Sequence, residues 1–268
     1  MPFTKEKNFY KYLNPESSTV FVFIHGLGLT LHAFYPVGLA LSKDYGCLLI
    51  DNPGAGQTEL KTESLSIKEI GSHVLQVLEE TGALQKRLVL VGHSMSGMVV
   101  NYLAAEKPEG IDVQACALIS PIHPSAAAKP GFEEFLSRVT DAKNLESTAD
   151  FMAFHAVGTK CSNMKRSLLH SMVMSSSVSG FSANCVALIS SCSHEKEFQA
   201  YYDKIDVPVL LLLGKEDPVT PYKDTALAFD AIQARKKVVL VENVSHWAML
   251  EDENTVSAQL KSLAETSA

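Results

Sequence analysis

Six short apolar segments recur along the chain, each rich in β-branched residues or leucine and each bounded by turn residues. They are residues 19–25, 47–51, 88–93, 115–120, 207–214 and 237–242. Segments that are apolar on both faces are typical of strands buried on both sides, as in a parallel sheet. The pattern therefore predicts a mostly parallel sheet at the centre of the molecule.

Helical patterns lie between these segments. Residues 66–81 carry apolar side chains at helical spacing, and Gly82 stands just past the end, where glycine commonly terminates a helix. The same periodicity recurs in residues 95–107, 225–235 and 253–264. Strands that alternate with helices predict an α/β fold in which helices cover both faces of the sheet.

The alternation stops between residues 123 and 202, where no strand pattern occurs. Helical fragments rich in Phe, Met and Ser take its place at residues 132–139, 151–157 and 164–174. Such an insertion between two strands predicts a helical cap over the carboxyl edge of the sheet. We therefore expect a single domain over residues 1–268, with its core in 1–122 and 203–268 and the cap at about 123–202. In the core, only residues 8–12 offer an opening strand.

The composition excludes several functional classes. The 268 residues are 46% hydrophobic and 20% charged, which is typical of a globular protein. A net charge of −7 without a basic run argues against nucleic acid as a partner. The apolar runs are too short for a membrane span, and the polar first residues predict no secretory signal.

The cysteine pattern bears on location and on cofactors. The five cysteines are an odd number and include no C-x-x-C pair, so reduced thiols and a cytoplasmic location are expected. No H-E-x-x-H, paired-cysteine or G-x-G-x-x-G pattern occurs, and we expect neither a metal nor a cofactor. The expected assembly is a monomer or a homodimer.

The strongest chemical signal is G-H-S-M-S-G at residues 92–97, which joins an apolar strand directly to a helix. It resembles the nucleophile elbow of the α/β-hydrolases, G-x-S-x-G, where a serine sits on a tight turn. That turn brings the positions two before and two after the serine together, which Gly92 and Ser96 are small enough to allow. The resemblance implies that Ser94 is the nucleophile, although Ser96 replaces the usual glycine.

A second motif, V-F-I-H-G-L-G-L at residues 22–29, ends an early strand. It resembles the family's His-Gly loop, whose backbone N–H helps to bind the oxyanion. By this resemblance the N–H groups of Leu27 and Met95 are the oxyanion donors. Met95 also begins a helix, whose dipole favours negative charge. His25 is expected to hydrogen-bond within its own loop.

The acid and the base follow in the second half of the chain. Asp217 comes three residues after an apolar strand, in the pattern G-x-x-D-x-x-x-P, and Glu216 beside it is the alternative. His246 follows the last strand, so the order Ser, Asp, His is that of the α/β-hydrolases. The resemblance implies that Asp217 orients His246 and that His246 activates the serine. His93 is expected to be structural. For His123 a structural place in its loop is expected, and the alternative is that it lines the pocket.

These motifs identify the chain as a member of the α/β-hydrolase fold superfamily. The implied fold is a mostly parallel central sheet with helices on both faces and a helical cap between the sixth and seventh core strands. The cap is most similar to the 3-oxoadipate enol-lactonase and esterase branch. This similarity implies a serine hydrolase that cleaves a small carboxylic ester or lactone through an acyl-enzyme intermediate. A carboxylate-bearing lactone would need a cation, for which the cap offers Arg138, Lys165 and Arg166.

Two other functions stay open at this point. A thioesterase or another acyl hydrolase would use the same serine, histidine and aspartate. A small-molecule receptor or scaffold with slow or no turnover is also possible, because a fold does not establish an activity. In each case the expected partner is a small molecule.

Overall fold

The centre of the computed structural model, which describes residues 2–267, is one seven-stranded sheet. Its strands are β1 (Tyr10–Leu13), β2 (Thr19–Ile24), β3 (Gly46–Ile50), β4 (Arg87–His93), β5 (Asp112–Ile119), β6 (Val209–Gly214) and β7 (Lys236–Val241). The spatial order is β1-β3-β2-β4-β5-β6-β7. All neighbouring strands run parallel except β1, which pairs antiparallel with β3. The mostly parallel sheet predicted from the apolar segments is confirmed.

Burial along the strands explains why their sequences are apolar without alternation. Every residue of β3 and β6 is buried, because helices cover both faces of the sheet. The edge strand β7 is different, since most of its residues are partly or fully exposed. Lys236 and Lys237 begin β7, and charged residues on an edge strand disfavour pairing with another chain.

The first three helices follow β2, β3 and β4. They are α1 (Tyr35–Leu41), α2 (Ile67–Glu80) and α3 (Ser96–Glu106). A capping box starts α2: the Ser66 hydroxyl accepts the Glu69 N–H, and the Glu69 carboxylate accepts the Ser66 N–H. The helix predicted over residues 66–81 from its apolar spacing and from Gly82 is confirmed to within one residue at each end. The short helix α1 lay outside the predicted elements.

Five helices separate β5 from β6. They are α4 (Lys129–Ala142), α5 (Glu146–Phe154), α6 (Asn163–Met174), α7 (Val178–Cys192) and α8 (Glu195–Tyr202). They include the expected fragments 132–139 and 164–174, whereas the fragment 151–157 is helical only as far as Phe154. The last of the five, α8, packs on α3 of the core. In this sheet the insertion lies between the fifth and sixth strands. The expected count of sixth and seventh assumes one more N-terminal strand, whereas among residues 2–267 only β1 precedes β2.

The remaining helices complete the core. They are α9 (Tyr222–Ala228), α10 (Ala248–Glu251) and α11 (Glu253–Ser267), of which α11 packs against α1. The helix predicted at residues 225–235 is therefore shifted, because the chain tightens into a 3-10 turn at Phe229–Ala231 and Ile232 is extended. In the described part of the chain, no single helix is long and apolar enough to cross a bilayer. Over residues 2–267, one pair of helices, α6 and α7, has the length and composition when taken together, and it is bent by 94°.

The turn between β4 and α3 leaves no room for a side chain at Gly92. A Cβ there would lie 2.4 Å from the backbone oxygen of Ser96 and 2.7 Å from a methyl group of Val100. Both distances are below van der Waals contact, and the first involves backbone that cannot swing away. The small residue inferred from the turn motif is thus a steric requirement.

Replacing Gly92 with alanine should lower the free energy of unfolding by about 1–3 kcal/mol, the usual cost of overpacking. Gly131→Ala is the matched control, since a Cβ at that helical position would meet nothing within 4 Å. We expect Gly131→Ala to be neutral or to stabilise by up to about 1 kcal/mol. Urea unfolding followed by circular dichroism measures both, and equal midpoints for the two variants would contradict the steric argument.

Candidate active site

Ser94 stands on a strained turn between β4 and α3. Its φ of 52° lies in the left-handed region, which is unusual for serine. Hydrogen bonds hold the turn: the Ser94 N–H donates to the Ile119 oxygen, and the Gly97 N–H donates to the Ser94 oxygen, each at 3.0 Å. This is the strand–turn–helix geometry expected of residues 92–97.

The structure brings Ser94, His246 and Asp217 together in one chain of hydrogen bonds. The Ser94 Oγ lies 2.9 Å from His246 Nε2, and His246 Nδ1 lies 2.8 Å from Asp217 Oδ2. All three residues are buried. Because the carboxylate can only accept, the proton belongs on Nδ1, and Nε2 is left free to accept the Ser94 hydroxyl proton.

Asp217 is held as an anion although it is buried. Burial raises its pKa, but the neighbouring His246 and hydrogen bonds from Thr220 outweigh this and bring the pKa well below its usual range. Its Oδ1 accepts the N–H groups of Val219 at 2.8 Å and Thr220 at 2.9 Å, and its Oδ2 accepts the Thr220 hydroxyl at 2.6 Å. The carboxylate is therefore oriented on both oxygens.

The alternative acid, Glu216, is engaged elsewhere. Its carboxylate accepts the N–H of Thr159 at 2.7 Å and the Thr159 hydroxyl at 3.0 Å. Thr220, which braces Asp217, was not predicted. The spacing D-x-x-T was a usable signal, since an Asp side chain commonly bonds backbone groups two and three residues later in a turn.

The loop after β2 lies directly against Ser94. A Cβ on Gly26 would lie 2.9 Å from the Ser94 Cβ, so a glycine is required for this approach. Leu27 lines the same cavity as Ser94, and Met95 is the residue at the start of α3. Of the two residues expected to donate to an oxyanion, Leu27 thus shares the cavity with Ser94 and Met95 follows Ser94 in the chain.

The other buried histidines bond to backbone groups. His25 Nδ1 donates to the Gly26 oxygen at 2.8 Å, and its Nε2 accepts the Asn52 N–H at 3.0 Å. Burial lowers the pKa of His25 to about 4, so its ring is neutral. His93 Nε2 donates to the His246 oxygen at 3.0 Å, and burial likewise lowers the pKa of His93 well below its usual value. Both have structural partners, as expected.

His123 has partners away from the triad. Its Nδ1 lies 2.8 Å from the Tyr202 hydroxyl, and its ring meets Phe229 with centroids 6.2 Å apart. Burial lowers the pKa of His123. The half-buried ring therefore belongs to the packing between the insertion and the core, and it does not line the cavity beside Ser94.

A cavity of about 320 Å³ opens beside Ser94 and His246. Its wall is almost entirely apolar and is built from Leu27, Ile122, Ala128, Gly131, Phe132, Phe135, Phe151, Met152, Ala156, Leu188, Pro218, Val219 and Trp247. The Trp247 indole N–H donates to the Met152 oxygen at 3.3 Å, so its polar atom is satisfied. The size is within the range of small-molecule sites.

The three cap cations lie outside this wall. Arg138 pairs with Glu134 on the exposed side of α4, and Lys165 pairs with Glu253 at 2.8 Å. The Arg166 guanidinium donates to backbone oxygens of residues 153, 158 and 161. Among the described residues, no lysine or arginine lines the cavity.

One group of side chains could hold a cation elsewhere. Glu146 and Asp150 of α5 and His170 of α6 place ligand atoms within 4.8 Å of one another on the surface. Ion pairing accounts for the arrangement equally well, since His170 Nε2 lies 3.7 Å from Glu146 and 3.5 Å from Asp150. None of the three lines the cavity beside Ser94.

Comparison with known proteins gives relatives over most of the chain. The dihydrolipoyllysine-residue acetyltransferase component of the acetoin cleaving system of Cupriavidus necator is 24% identical over 90% of this chain. This chain spans only 62% of that protein. The 3-oxoadipate enol-lactonase 1 of Acinetobacter baylyi is 25% identical over 88% of this chain and 85% of its own length.

Solved structures agree with this fold. A thermophilic esterase from Thermogutta terrifontis superposes with a TM-score of 0.85 at 15% identity, over 97% of this chain and 93% of its own. The characteristic pattern of the α/β hydrolase fold matches residues 19–253, which include both β2 and the loop of His246. The chain therefore belongs to the α/β hydrolase fold family, and its relatives include an enol-lactonase and methyl ester esterases.

Proposed function

We propose that this protein is a serine hydrolase that cleaves small, uncharged carboxylic esters or lactones. The observation that carries the proposal is the hydrogen-bonded chain Ser94–His246–Asp217 at the wall of an apolar cavity. A nucleophile within hydrogen-bond reach of a base, itself oriented by a buried anion, is the arrangement that acyl transfer requires. The relatives named as a lactonase and an esterase support the proposal that an ester or lactone bond is cleaved.

The reaction proceeds in two halves. His246 Nε2 takes the Ser94 proton as Oγ attacks the carbonyl carbon, and it then gives that proton to the leaving alcohol oxygen. Water, deprotonated by the same nitrogen, attacks the acyl-enzyme and releases the acid and the free Ser94 hydroxyl. Asp217 keeps the imidazole in the productive tautomer and stabilises the imidazolium in each half. In a lactone the leaving oxygen stays tethered to the acyl group.

The negative charge that develops on the carbonyl oxygen needs donors, and the N–H groups of Leu27 and Met95 are those we assign. The loop that carries Leu27 is held in place by hydrogen bonds to the backbone oxygen of His25. The His25 oxygen accepts the Ser96 hydroxyl at 2.5 Å and the Asn52 side-chain amide at 2.9 Å. Ser96 lies on the nucleophile turn, so its hydroxyl joins the two halves of the proposed oxyanion site.

The substrate class follows from the cavity wall. Aromatic and aliphatic groups of α4, α5 and α7 face Ser94, and these helices form the lid of the single domain that we infer for residues 1–268. A carboxylate bound among them would lose its water without gaining a partner, which is strongly unfavourable. Arg138, Lys165 and Arg166 are engaged elsewhere, which supports an uncharged acyl group.

Ser94→Ala should reduce ester hydrolysis on the order of 10⁴-fold, because it removes the attacking oxygen while leaving the turn in place. The measurement is hydrolysis of p-nitrophenyl butyrate, with circular dichroism as the check on folding. A fluorophosphonate probe should label the unmodified protein at Ser94. Labelling at another serine, or full activity in the variant, would refute the assignment. Labelling of Ser94 without turnover of any ester or lactone would instead favour a receptor.

Ser96→Gly should lower kcat about 10-fold and leave KM nearly unchanged. Deleting an oxyanion donor itself costs about 10²–10³-fold in kcat, and loosening the loop that carries one costs less. Ser257→Ala is the control, because that partly buried serine also donates to a backbone oxygen, at 2.6 Å, but lies in α11. Equal kcat values for Ser96→Gly and the control would show that the Ser96 hydroxyl does not support catalysis.

A neutral p-nitrophenyl ester should be preferred over an anionic ester of similar length by at least about 10²-fold in kcat/KM, roughly 3 kcal/mol. Neutralising Arg138, Lys165 or Arg166 to glutamine should leave this ratio unchanged. The decisive comparison is the ratio in each variant. A selective loss on the anionic ester in any of them would restore the carboxylate-bearing lactone as substrate.

A further inference from the structure

Glu251, the last residue of α10, joins two separate parts of the chain. Its Oε1 accepts the N–H groups of Ser245 and Trp247, each at 3.1 Å, and these residues flank His246. Its Oε2 accepts the N–H of Gly158 at 2.6 Å, in the loop between α5 and α6. One carboxylate therefore bonds the histidine loop with one oxygen and the lid with the other.

Two more hydrogen bonds join the lid to the loop of His246, and we call this contact the seam. The His246 N–H donates to the Ala156 oxygen at 3.4 Å, and the Trp247 indole donates to the Met152 oxygen at 3.3 Å. Both acceptor residues line the cavity. The approach is closest at Gly158, where a Cβ would lie 2.3 Å from the Asn243 oxygen and 2.8 Å from Glu251 Oε2.

Hydrogen bonds from backbone N–H groups to a carboxylate are roughly twice as strong as neutral ones. Removing the charge would leave several partly buried donors short of an acceptor, so these segments would have to move to find water. The two loops contribute no other carboxylate to these three N–H groups among the described residues. Glu251 therefore supplies the negative charge that accepts the three N–H groups at the seam.

We propose that Glu251 is a positioning residue that makes the lid loop at residues 156–158 and the loop of His246 move as one unit. Displacing the lid then turns His246 away from Ser94, so the wall of the cavity and the base are set together. The functional side of this inference rests on the proposed hydrolase activity. The mechanical coupling of the two loops does not depend on it.

A double-mutant cycle tests the coupling through activity. Glu251→Gln removes the charge and one acceptor, and Gly158→Ala pushes the lid loop away from Glu251 without altering the carboxylate. We expect each to lower kcat and the rate of Ser94 labelling by a fluorophosphonate about 10-fold. The double variant should lose little more than either single one, because both break the same connection. A loss of about 100-fold would show independent effects and overturn the proposal.

Glu216→Gln is the matched control. Glu216 also binds the lid loop, through Thr159, and its backbone bonds to Val244 and Ser245, but its carboxylate is not bonded to the N–H groups beside His246. We expect its kcat and labelling rate to stay within about 2-fold of those of the unmodified protein, which is well below the 10-fold loss expected for Glu251→Gln. A loss equal to that of Glu251→Gln would mean that any loosening of the lid has this effect, which contradicts a specific role for Glu251.

Amide hydrogen exchange tests the coupling without any substrate. Both Glu251→Gln and Gly158→Ala should speed exchange in residues 156–159 and in residues 244–248 together, with the rest of the sheet unchanged. Faster exchange in only one segment would overturn the inference. If Glu251→Gln does not fold, Gly158→Ala decides the outcome alone. If Ser94 is never labelled, the hydrolase proposal fails while the exchange result still stands.

Discussion

The turn at Ser94 requires backbone segments to approach one another more closely than side chains permit. In the β4–α3 turn, Gly92 packs directly against the backbone of Ser96, and Gly26 in the loop after β2 packs against Ser94. Ser94 itself is held at positive φ, which places its hydroxyl at the edge of the sheet rather than within it. Because β4 is a central strand with a neighbour on each side, that position is fixed by the whole sheet.

The electrostatics of the site depend on which group each buried histidine is hydrogen-bonded to. His25 and His93 are fully buried and bond to backbone groups, and burial lowers the pKa of each. His246 instead faces the buried Asp217 carboxylate, which Thr220 and backbone N–H groups keep ionised. The proposed base is thus the buried histidine with a carboxylate partner.

The lid contributes both the shape of the cavity and part of the support for His246. Met152 and Ala156 line the cavity with their side chains while their backbone oxygens accept hydrogen bonds from Trp247 and His246. Glu251 adds a charged connection at Gly158. We infer that this arrangement links the proposed choice of substrate to the orientation of the proposed base, since the same backbone serves both.

By itself, the sequence determined the elements and residues whose signals are local. Buried strands are continuous apolar runs, the turn of residues 92–97 requires small residues at fixed spacing, and Asp217 and His246 follow the ends of their strands. Only the tertiary structure decided how distant residues pair. Lys165 meets Glu253, Thr159 meets Glu216, and Gly158 meets Glu251, each across more than 50 positions. Such pairs depend on how helices pack over the sheet, which no local pattern records. One of them holds Lys165 outside the wall of the cavity.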